Sequence, residues 1–128
     1  MTQEDVQYVI DYWMRRADEA LASMRLEEAT DHYHFAVNRA YYACFYAASA
    51  VLLQEGCKFV KHSGVRSAVH QELVKTGRLD VRWGDVYDQL FDSRHRADYI
   101  ALAEFDAEDA AELIREAEGF VLDNEAIA

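Results

Sequence analysis

Apolar residues recur along most of the chain at steps of three and four, the spacing that places side chains on one face of an α-helix. The pattern predicts five helices: about Asp5–Ala29, His32–Glu55, Ser63–Thr76, Val81–Tyr99 and a last one from Asp106 to about Asp123. The breaks between them are short. We therefore expect an all-α fold, an antiparallel up-and-down helical bundle of four to five helices.

Polar residues and glycines mark the predicted helix ends. Thr30 or Asp31 is expected to cap the second helix, Ser63 the third and Asp106 the fifth. Side-chain oxygens at these positions accept hydrogen bonds from the first free backbone N–H groups. Gly56 and Gly77 are expected to end the second and third helices, because glycine readily adopts the left-handed conformation at a helix C-terminus.

The second helix is apolar over most of its circumference, which predicts a central position in the bundle. Small residues form a narrow stripe along it, on which another helix can approach closely. The stripe consists of Ala36, Ala40, Ala43, Ala47 and Ala50. Cys44 lies in this stripe and is expected to be a small core residue rather than a nucleophile. The neighbouring aromatics Tyr41, Tyr42, Phe45 and Tyr46 are expected to belong to the core rather than to a base-stacking platform.

Length and composition narrow the classes of protein. The 128 residues are enough for one domain, residues 1–128, and the absence of proline argues against an all-β fold. No apolar run approaches the ~18–20 residues of a membrane span. The N-terminus contains Glu4 and Asp5 and lacks an apolar core, so it is unlike a secretory signal. The two cysteines form no CxxC motif, so we expect a cytoplasmic protein with free thiols and no membrane association.

Charge is distributed unevenly along the chain. The formal net charge of −11 does not attract nucleic acid to the protein as a whole. Residues 58–96, however, carry 8 basic and 5 acidic side chains, whereas residues 97–128 carry 1 basic and 10 acidic ones. The middle third is therefore the segment that can attract nucleic acid locally, and the acidic tail is expected to be a solvated helix face.

The fourth predicted helix carries an arginine on its apolar stripe. Arg94 lies four residues after Leu90, so it continues the inward face. A buried guanidinium must be paired or must face a ligand or a partner. Asp98 is spaced for an ion pair within the helix, which is the purely structural interpretation. His95 and Arg96 lie beside Arg94, and both interpretations stay open at this point.

Two further groups of polar residues lie in apolar surroundings. Asn38 and Arg39 interrupt the apolar second helix. An isolated buried amide such as Asn38 is more often a satisfied structural group, but a second arginine beside the core raises the chance of a shared anion-facing cleft. The loop at residues 58–64 contains two lysines and His62 before a predicted helix N-terminus. Such an end can bind phosphate through its free N–H groups, although many helices begin after a basic loop.

Several chemistries have no motif in this chain. It has no HExxH, paired-cysteine or repeated Glu-x-x-His pattern, so neither a zinc site nor a di-iron site is expected. It also has no GxGxxG, Walker or GxSxG motif. The sequence therefore predicts no metal and no cofactor.

Three ordered segments resemble the HEPN family (higher eukaryotes and prokaryotes nucleotide-binding). They are NRAYYACFYAASAVLL at residues 38–53, KHSGV at 61–65 and LFDSRHRADY at 90–99. The likeness extends over about residues 7–122 and is strongest to small stand-alone prokaryotic HEPN proteins, which are usually encoded beside a minimal nucleotidyltransferase. The resemblance implies a helical bundle that forms a homodimer and handles RNA or nucleotides.

The resemblance also implies a chemistry. Many HEPN domains are metal-independent ribonucleases and toxins, in which an Arg-x(4–6)-His motif acts at a dimer cleft and the partner nucleotidyltransferase neutralises the toxin. The histidine can act as the base and the arginine can stabilise the phosphate. Here Arg94 matches the motif arginine, but Tyr99 stands where the histidine is expected.

Two hypotheses follow from the resemblance. The first is a nucleotide- or RNA-binding component of a toxin–antitoxin-like pair that lacks the catalytic histidine. The alternative is an active endoribonuclease toxin that uses Arg94 and Tyr99 at a dimer cleft. The candidate binding residues common to both are Asn38, Arg39, His62, His95, Arg96 and Asp98.

Overall fold

The computed structural model describes residues 2–57, 62–99 and 105–128, without the side chains of His62, Ser63 and Tyr99. The helices are α1 (Gln3–Ala29), α2 (Tyr33–Gln54), α3 (His62–Ala68), α4 (Val81–Tyr99) and α5 (Ala107–Ile127), and α3 continues as a π-helical turn over Val69–Val74. No strand occurs in these described ranges. The predicted all-α, antiparallel up-and-down bundle is confirmed.

Helix α2 is the central element of the bundle, as its composition predicts. It packs against each of the other four helices. All five alanines of its small-residue stripe are fully buried, and so is Cys44. The largest side chains that are fully buried in the core include Tyr41 of α2, Tyr87 of α4 and Phe120 of α5. These contacts join α2, α4 and α5 around a single apolar core.

The predicted helix ends at Gly56 and Gly77 are confirmed, and so is the predicted N-cap Asp106. Gly56 and Gly77 follow helical segments with φ of +86° and +81°, a conformation that costs little only for glycine. Asp106 caps α5, because its Oδ1 accepts a hydrogen bond of 2.8 Å from the backbone N–H of Asp109.

The prediction that Thr30 or Asp31 caps the second helix is wrong. The N-cap residue is His32, and its side chain makes no capping bond. The hydroxyl of Thr30 instead donates back to the carbonyl oxygen of Leu26 at 3.0 Å, as the last turn of α1 ends. Asp31 adopts a left-handed φ of 62°, and its carboxylate accepts a hydrogen bond from the hydroxyl of Tyr33. Both predicted capping side chains therefore bond elsewhere in this tight turn.

The third predicted helix is not regular throughout. Its second half, Val69–Val74, has the wider π-helical turn. This turn carries His70, whose Nε2 lies 3.0 Å from both carboxylate oxygens of Asp88 on α4, and Arg66 of α3 donates to the same carboxylate at 2.9 Å. These bonds attach the segment to α4. The predicted cap Ser63 lies outside the residues whose side chains are described.

In the part of the chain that the structure describes, none of the helices is both long enough and apolar enough to cross a lipid bilayer.

Candidate functional site

Arg94 is fixed on α4 by a carboxylate and two aromatic rings. Its Nε lies 3.0 Å from Oδ2 of Asp98, one turn later on the same helix, which confirms the predicted ion pair. Its Nη2 donates to the hydroxyl oxygen of Tyr42 at 3.1 Å. The guanidinium carbon lies 5.7 Å and 5.5 Å from the ring centroids of Tyr41 and Tyr42. The side chain is 17% exposed, so Arg94 lies mostly buried at the edge of the core.

The tyrosine beneath the guanidinium stays neutral. Tyr41 is fully buried, and this burial raises the pKa of its hydroxyl to about 12. Its hydroxyl accepts a long hydrogen bond of 3.5 Å from Tyr87 of α4. The ring therefore presents an uncharged face to Arg94 at neutral pH, which is the arrangement of a cation–π contact.

Asn38 and Arg39 extend the site across three helices. Asn38 Nδ2 donates to both carboxylate oxygens of Asp98 at 3.1 Å, so α2 and α4 share this carboxylate. The guanidinium of Arg39 donates to Oδ1 of Asn38, and its Nε donates to Oγ of Ser23 on α1 at 3.2 Å. Residues predicted from separate parts of the sequence thus form one connected polar network with Arg94.

The structure does not bring Arg96 into this network. Arg96 faces the start of α5, and its guanidinium carbon lies 5.2 Å from the ring centroid of Phe105, just before that helix. It lines a small cavity of about 180 Å³ between α4 and α5 together with Asp109 and Glu112. His95 is exposed. Adjacent residues on a helix point about 100° apart, which is why the continuous run in the sequence does not form one surface.

The remaining two predicted residues cannot be placed. The side chains of His62 and Tyr99 lie outside the described residues. Their backbone positions are the first residue of α3 and the last residue of α4.

Sequence reasoning missed a groove beside the network. A cavity of about 350 Å³ lies between α1 and α2, and we call it the α1–α2 groove. Its lining residues are Arg16, Glu19, Ala20, Ser23, Arg39, Tyr42 and Tyr46. A signal was present in the sequence, because Tyr8, Tyr12 and Arg16 recur every four residues and so share one face of α1. Tyr8 and Tyr12 are 67% and 41% exposed, so this face is not covered by the bundle.

The aromatic residues of α2 divide between core and surface. Tyr41 is fully buried, as predicted. Tyr42, Phe45 and Tyr46 pack against the core but are only partly buried. Of these three, Tyr42 and Tyr46 are accessible from the α1–α2 groove, because both contribute to its lining.

Nothing in the described residues is arranged as a metal site, since no group of three or more His, Cys, Asp and Glu side chains is positioned to hold an ion. His70 and Asp88 form a close pair, but the ring of His70 packs against the backbone of α4. A Cβ added at Gly84 would lie 2.8 Å from Cε1 and 3.0 Å from Nδ1 of that ring. The second ring nitrogen thus faces the helix, and the pair serves to attach the π-helical turn.

The fold and the arginine-centred network define a class of helical-bundle protein, and comparison with known proteins identifies it. The HEPN domain model matches residues 10–125. The chain is 46% identical to the UPF0332 protein of Thermotoga maritima over 113 residues, which are 88% of this chain and 86% of that protein. Two proteins of Methanocaldococcus jannaschii, each named “Putative toxin”, are 32% and 31% identical, over 84% and 94% of this chain and 74% and 90% of their own lengths. This chain belongs to the HEPN family.

Proposed function

We propose that this protein is the HEPN component of a toxin–antitoxin-like pair in the cytoplasm, that it forms a homodimer, and that it binds RNA or a nucleotide at Arg94. A minimal nucleotidyltransferase is its proposed partner. Family membership and the two relatives named as toxins support the biological setting. The observation that carries the binding site is the mostly buried Arg94 in a connected network on an otherwise acidic protein.

The network explains how Arg94 can receive a phosphate. Guanidinium groups bind phosphate oxygens through parallel N–H donors, and they do so best when the side chain is already fixed. Asp98 and the hydroxyl of Tyr42 fix two of its nitrogens, and the ring of Tyr41 supports it from below. The arginine side chain therefore loses its conformational freedom when the protein folds, so ordering it costs less free energy when the phosphate binds.

Binding without cleavage is the activity that we favour. Ribonucleases of this kind need a base that takes the proton from a ribose 2′-OH, so that its oxygen attacks the adjacent phosphorus and the 5′-oxygen leaves. Position 99 is a tyrosine, with an ordinary pKa of about 10, which makes it a poor base at neutral pH. In the alternative, Arg94 and Tyr99 cleave RNA at the dimer cleft and leave a cyclic phosphate and a 5′-OH end.

One RNA assay separates these activities. Purified wild-type protein, Arg94→Ala and Arg115→Ala are incubated with labelled single-stranded RNA, and both binding and cleavage are measured. Arg115 is an exposed arginine on the acidic helix α5, so its replacement matches the charge change outside the network. We expect wild type and Arg115→Ala to bind RNA and leave it intact, and Arg94→Ala to lose binding.

Other outcomes decide against parts of the proposal. Cleavage by wild type that disappears in Arg94→Ala would establish the ribonuclease instead. RNA binding that is the same in wild type and Arg94→Ala would remove Arg94 from the site.

The homodimer and the partner are tested separately. Light scattering at micromolar concentration is expected to give about twice the chain mass of 14.7 kDa, and a value near 14.7 kDa would contradict the dimer. The reading frame beside this gene is expected to encode a short nucleotidyltransferase whose product co-purifies with the protein. The absence of such a frame would contradict the pairing.

A further inference from the structure

The α1–α2 groove has the size and chemistry of a ligand site. Its volume of about 350 Å³ is within the range of about 300–1,000 Å³ that is common for small-molecule sites. Its lining combines two arginines, two tyrosines and one serine from facing helices. An apolar groove that only awaits a packing partner would not carry this set of donors.

The groove places two cations on facing helices of an acidic protein. Arg16 of α1 forms an ion pair with Glu19, with 3.6 Å between Nη1 and Oε2. Its guanidinium carbon lies 5.6 Å from the ring centroid of Tyr46. A hydrogen bond to Tyr46 raises the pKa of Arg16 further, so it is charged under all relevant conditions. Arg39 of α2 enters from the other side. Among the described residues Glu19 is the one carboxylate in the lining, so the groove itself is net positive.

Aromatic rings continue from the groove along α1. The rings of Trp13 and Tyr46 are stacked, with centroids 5.5 Å apart and planes at 19°. The rings of Tyr12 and Trp13 pack edge to face with their centroids 5.4 Å apart, and Tyr12 is 41% exposed. Tyr8 lies one turn earlier and is 67% exposed. Exposed rings beside cations are what single-stranded nucleic acid requires, because bases stack on the rings while phosphates meet the charges.

The groove is continuous with the site around Arg94. The side chain of Tyr42 lines the groove, and its hydroxyl accepts the hydrogen bond from Arg94. Arg39 also lines the groove and is linked to Asp98 through Asn38. A strand with one phosphate at Arg94 therefore meets Tyr42 and Arg39 next.

We propose that the α1–α2 groove is a second subsite for single-stranded RNA, in which Arg16 and Arg39 bind a phosphate and the exposed ring of Tyr12 stacks with a base. This inference rests on the proposed function, since it extends the strand that Arg94 binds. Tyrosine and arginine are also enriched in protein interfaces. A concave, net positive groove joined to a phosphate-binding arginine favours RNA over a second protein.

The test uses two substitutions at exposed positions, Arg16→Gln and Tyr12→Ala, which the fold is expected to tolerate. Fluorescence anisotropy with a labelled twelve-nucleotide RNA measures affinity across a salt series, and Arg115→Gln is the matched control. We expect Arg16→Gln to weaken binding about fivefold and to lower the salt slope by about 1. Tyr12→Ala is expected to weaken binding at least about fivefold through lost stacking, and Arg115→Gln to leave affinity unchanged.

Photocrosslinking shows where on the protein the RNA lies, which an affinity measurement does not. RNA that contains 4-thiouridine is irradiated with the wild-type protein, and the modified peptides are mapped. Crosslinks on the α1 peptide that contains Tyr12 and Arg16, or at Tyr46, support the subsite. Crosslinks confined to α4 overturn it.

The outcomes distinguish this subsite from the proposed function. If Arg16→Gln and Tyr12→Ala bind like wild type while Arg94→Ala does not, the subsite is wrong and the function stands. If wild type binds no RNA, both fail. If Arg16→Gln changes the mass in light scattering but not the RNA affinity, the groove is a contact between copies of the chain, and the subsite is overturned.

Discussion

Asn38 on α2 and Asp98 on α4 are joined by two hydrogen bonds of 3.1 Å, one to each carboxylate oxygen. The residues are 60 positions apart in the chain. Because Asp98 also pairs with Arg94, this contact sets the position of the guanidinium relative to α2. Asn38 is thus a positioning residue for the candidate site.

Asn38→Ala is expected to lower the free energy of unfolding by about 1.5 kcal/mol, the lower end of the range for hydrogen bonds to a charged group, because Asp98 is partly exposed. Urea denaturation of wild type, Asn38→Ala, Asp98→Ala and the double variant measures the coupling between the two residues. We expect the two effects to be non-additive, because either substitution alone breaks the contact. Gln7→Ala, which breaks an exposed bond of 2.9 Å to Asp11 within α1, is the control and is expected to change stability less. Strict additivity would show that the Asn38–Asp98 contact contributes nothing in solution.

The two cysteines are expected to react at different rates. Burial raises the pKa of the Cys44 thiol well above its ordinary value, and its Sγ donates to the carbonyl oxygen of Ala117 at 3.8 Å. Burial and the carboxylates of Glu72 and Glu55 also raise the pKa of Cys57, but this residue is only partly buried. Since the thiolate is the reactive form, both thiols are expected to react more slowly than a free cysteine, and the fully buried Cys44 more slowly than Cys57.

Ellman's reagent at pH 8 tests this order. Cys57 is expected to react first, and Cys44 only as the protein unfolds, so that urea releases the second equivalent. Cys57→Ser should remove the first phase and leave the second. A fast phase that survives in Cys57→Ser would mean that Cys44 is reached without unfolding.

The hydrophobic pattern predicted the structural features that depend on residues close together in the sequence. The bounds Val81–Tyr99 of the fourth helix agree with the structure, and so does the Arg94–Asp98 pair, because both follow from helical periodicity. The cap of α2 was predicted wrongly, since the hydroxyl of Thr30 has a competing acceptor in the preceding turn. The π-helical turn was missed because its wider winding leaves no mark in a 3.6-residue repeat.

Long-range contacts were beyond the sequence pattern. Asn38 and Arg39 were singled out as polar residues in an apolar helix, but their partners Asp98 and Ser23 depend on how α2 packs against α4 and α1. The α1–α2 groove was missed for the same reason. Its lining becomes visible only when the facing sides of two helices are known.

Glu125→Gln is expected to stabilise the protein at neutral pH. Burial and the nearby carboxylate of Asp18 raise the pKa of Glu125 above its ordinary value of 4.5. The folded state therefore holds this proton to a higher pH than the unfolded chain does, and wild-type stability falls as pH rises above about 4.5 through this window. The substitution removes the penalty, so we expect Tm at pH 7 to rise by about 2 °C and Tm at pH 4 to change little.

Scanning calorimetry between pH 4 and pH 7 checks this prediction. Glu112→Gln, at an exposed position of the same helix, controls for the loss of one negative charge from an acidic protein. Asp18→Asn should reduce the pH dependence in the same direction. An equal rise in Tm for Glu112→Gln and Glu125→Gln would show that the stabilisation comes only from the loss of one negative charge.

Tyr42→Phe tests whether the hydroxyl that accepts the hydrogen bond from Arg94 contributes to RNA binding. The substitution removes the acceptor at 3.1 Å but keeps the ring beneath the guanidinium. We expect RNA affinity to fall about tenfold, corresponding to about 1.5 kcal/mol, the lower end of the range for one hydrogen bond to a charged group. Tyr33→Phe is the control, because it removes a hydroxyl bonded to Asp31 in the α1–α2 turn. Equal affinities of Tyr42→Phe and wild type, with Arg94→Ala inactive, would show that Asp98 and the rings alone position the arginine.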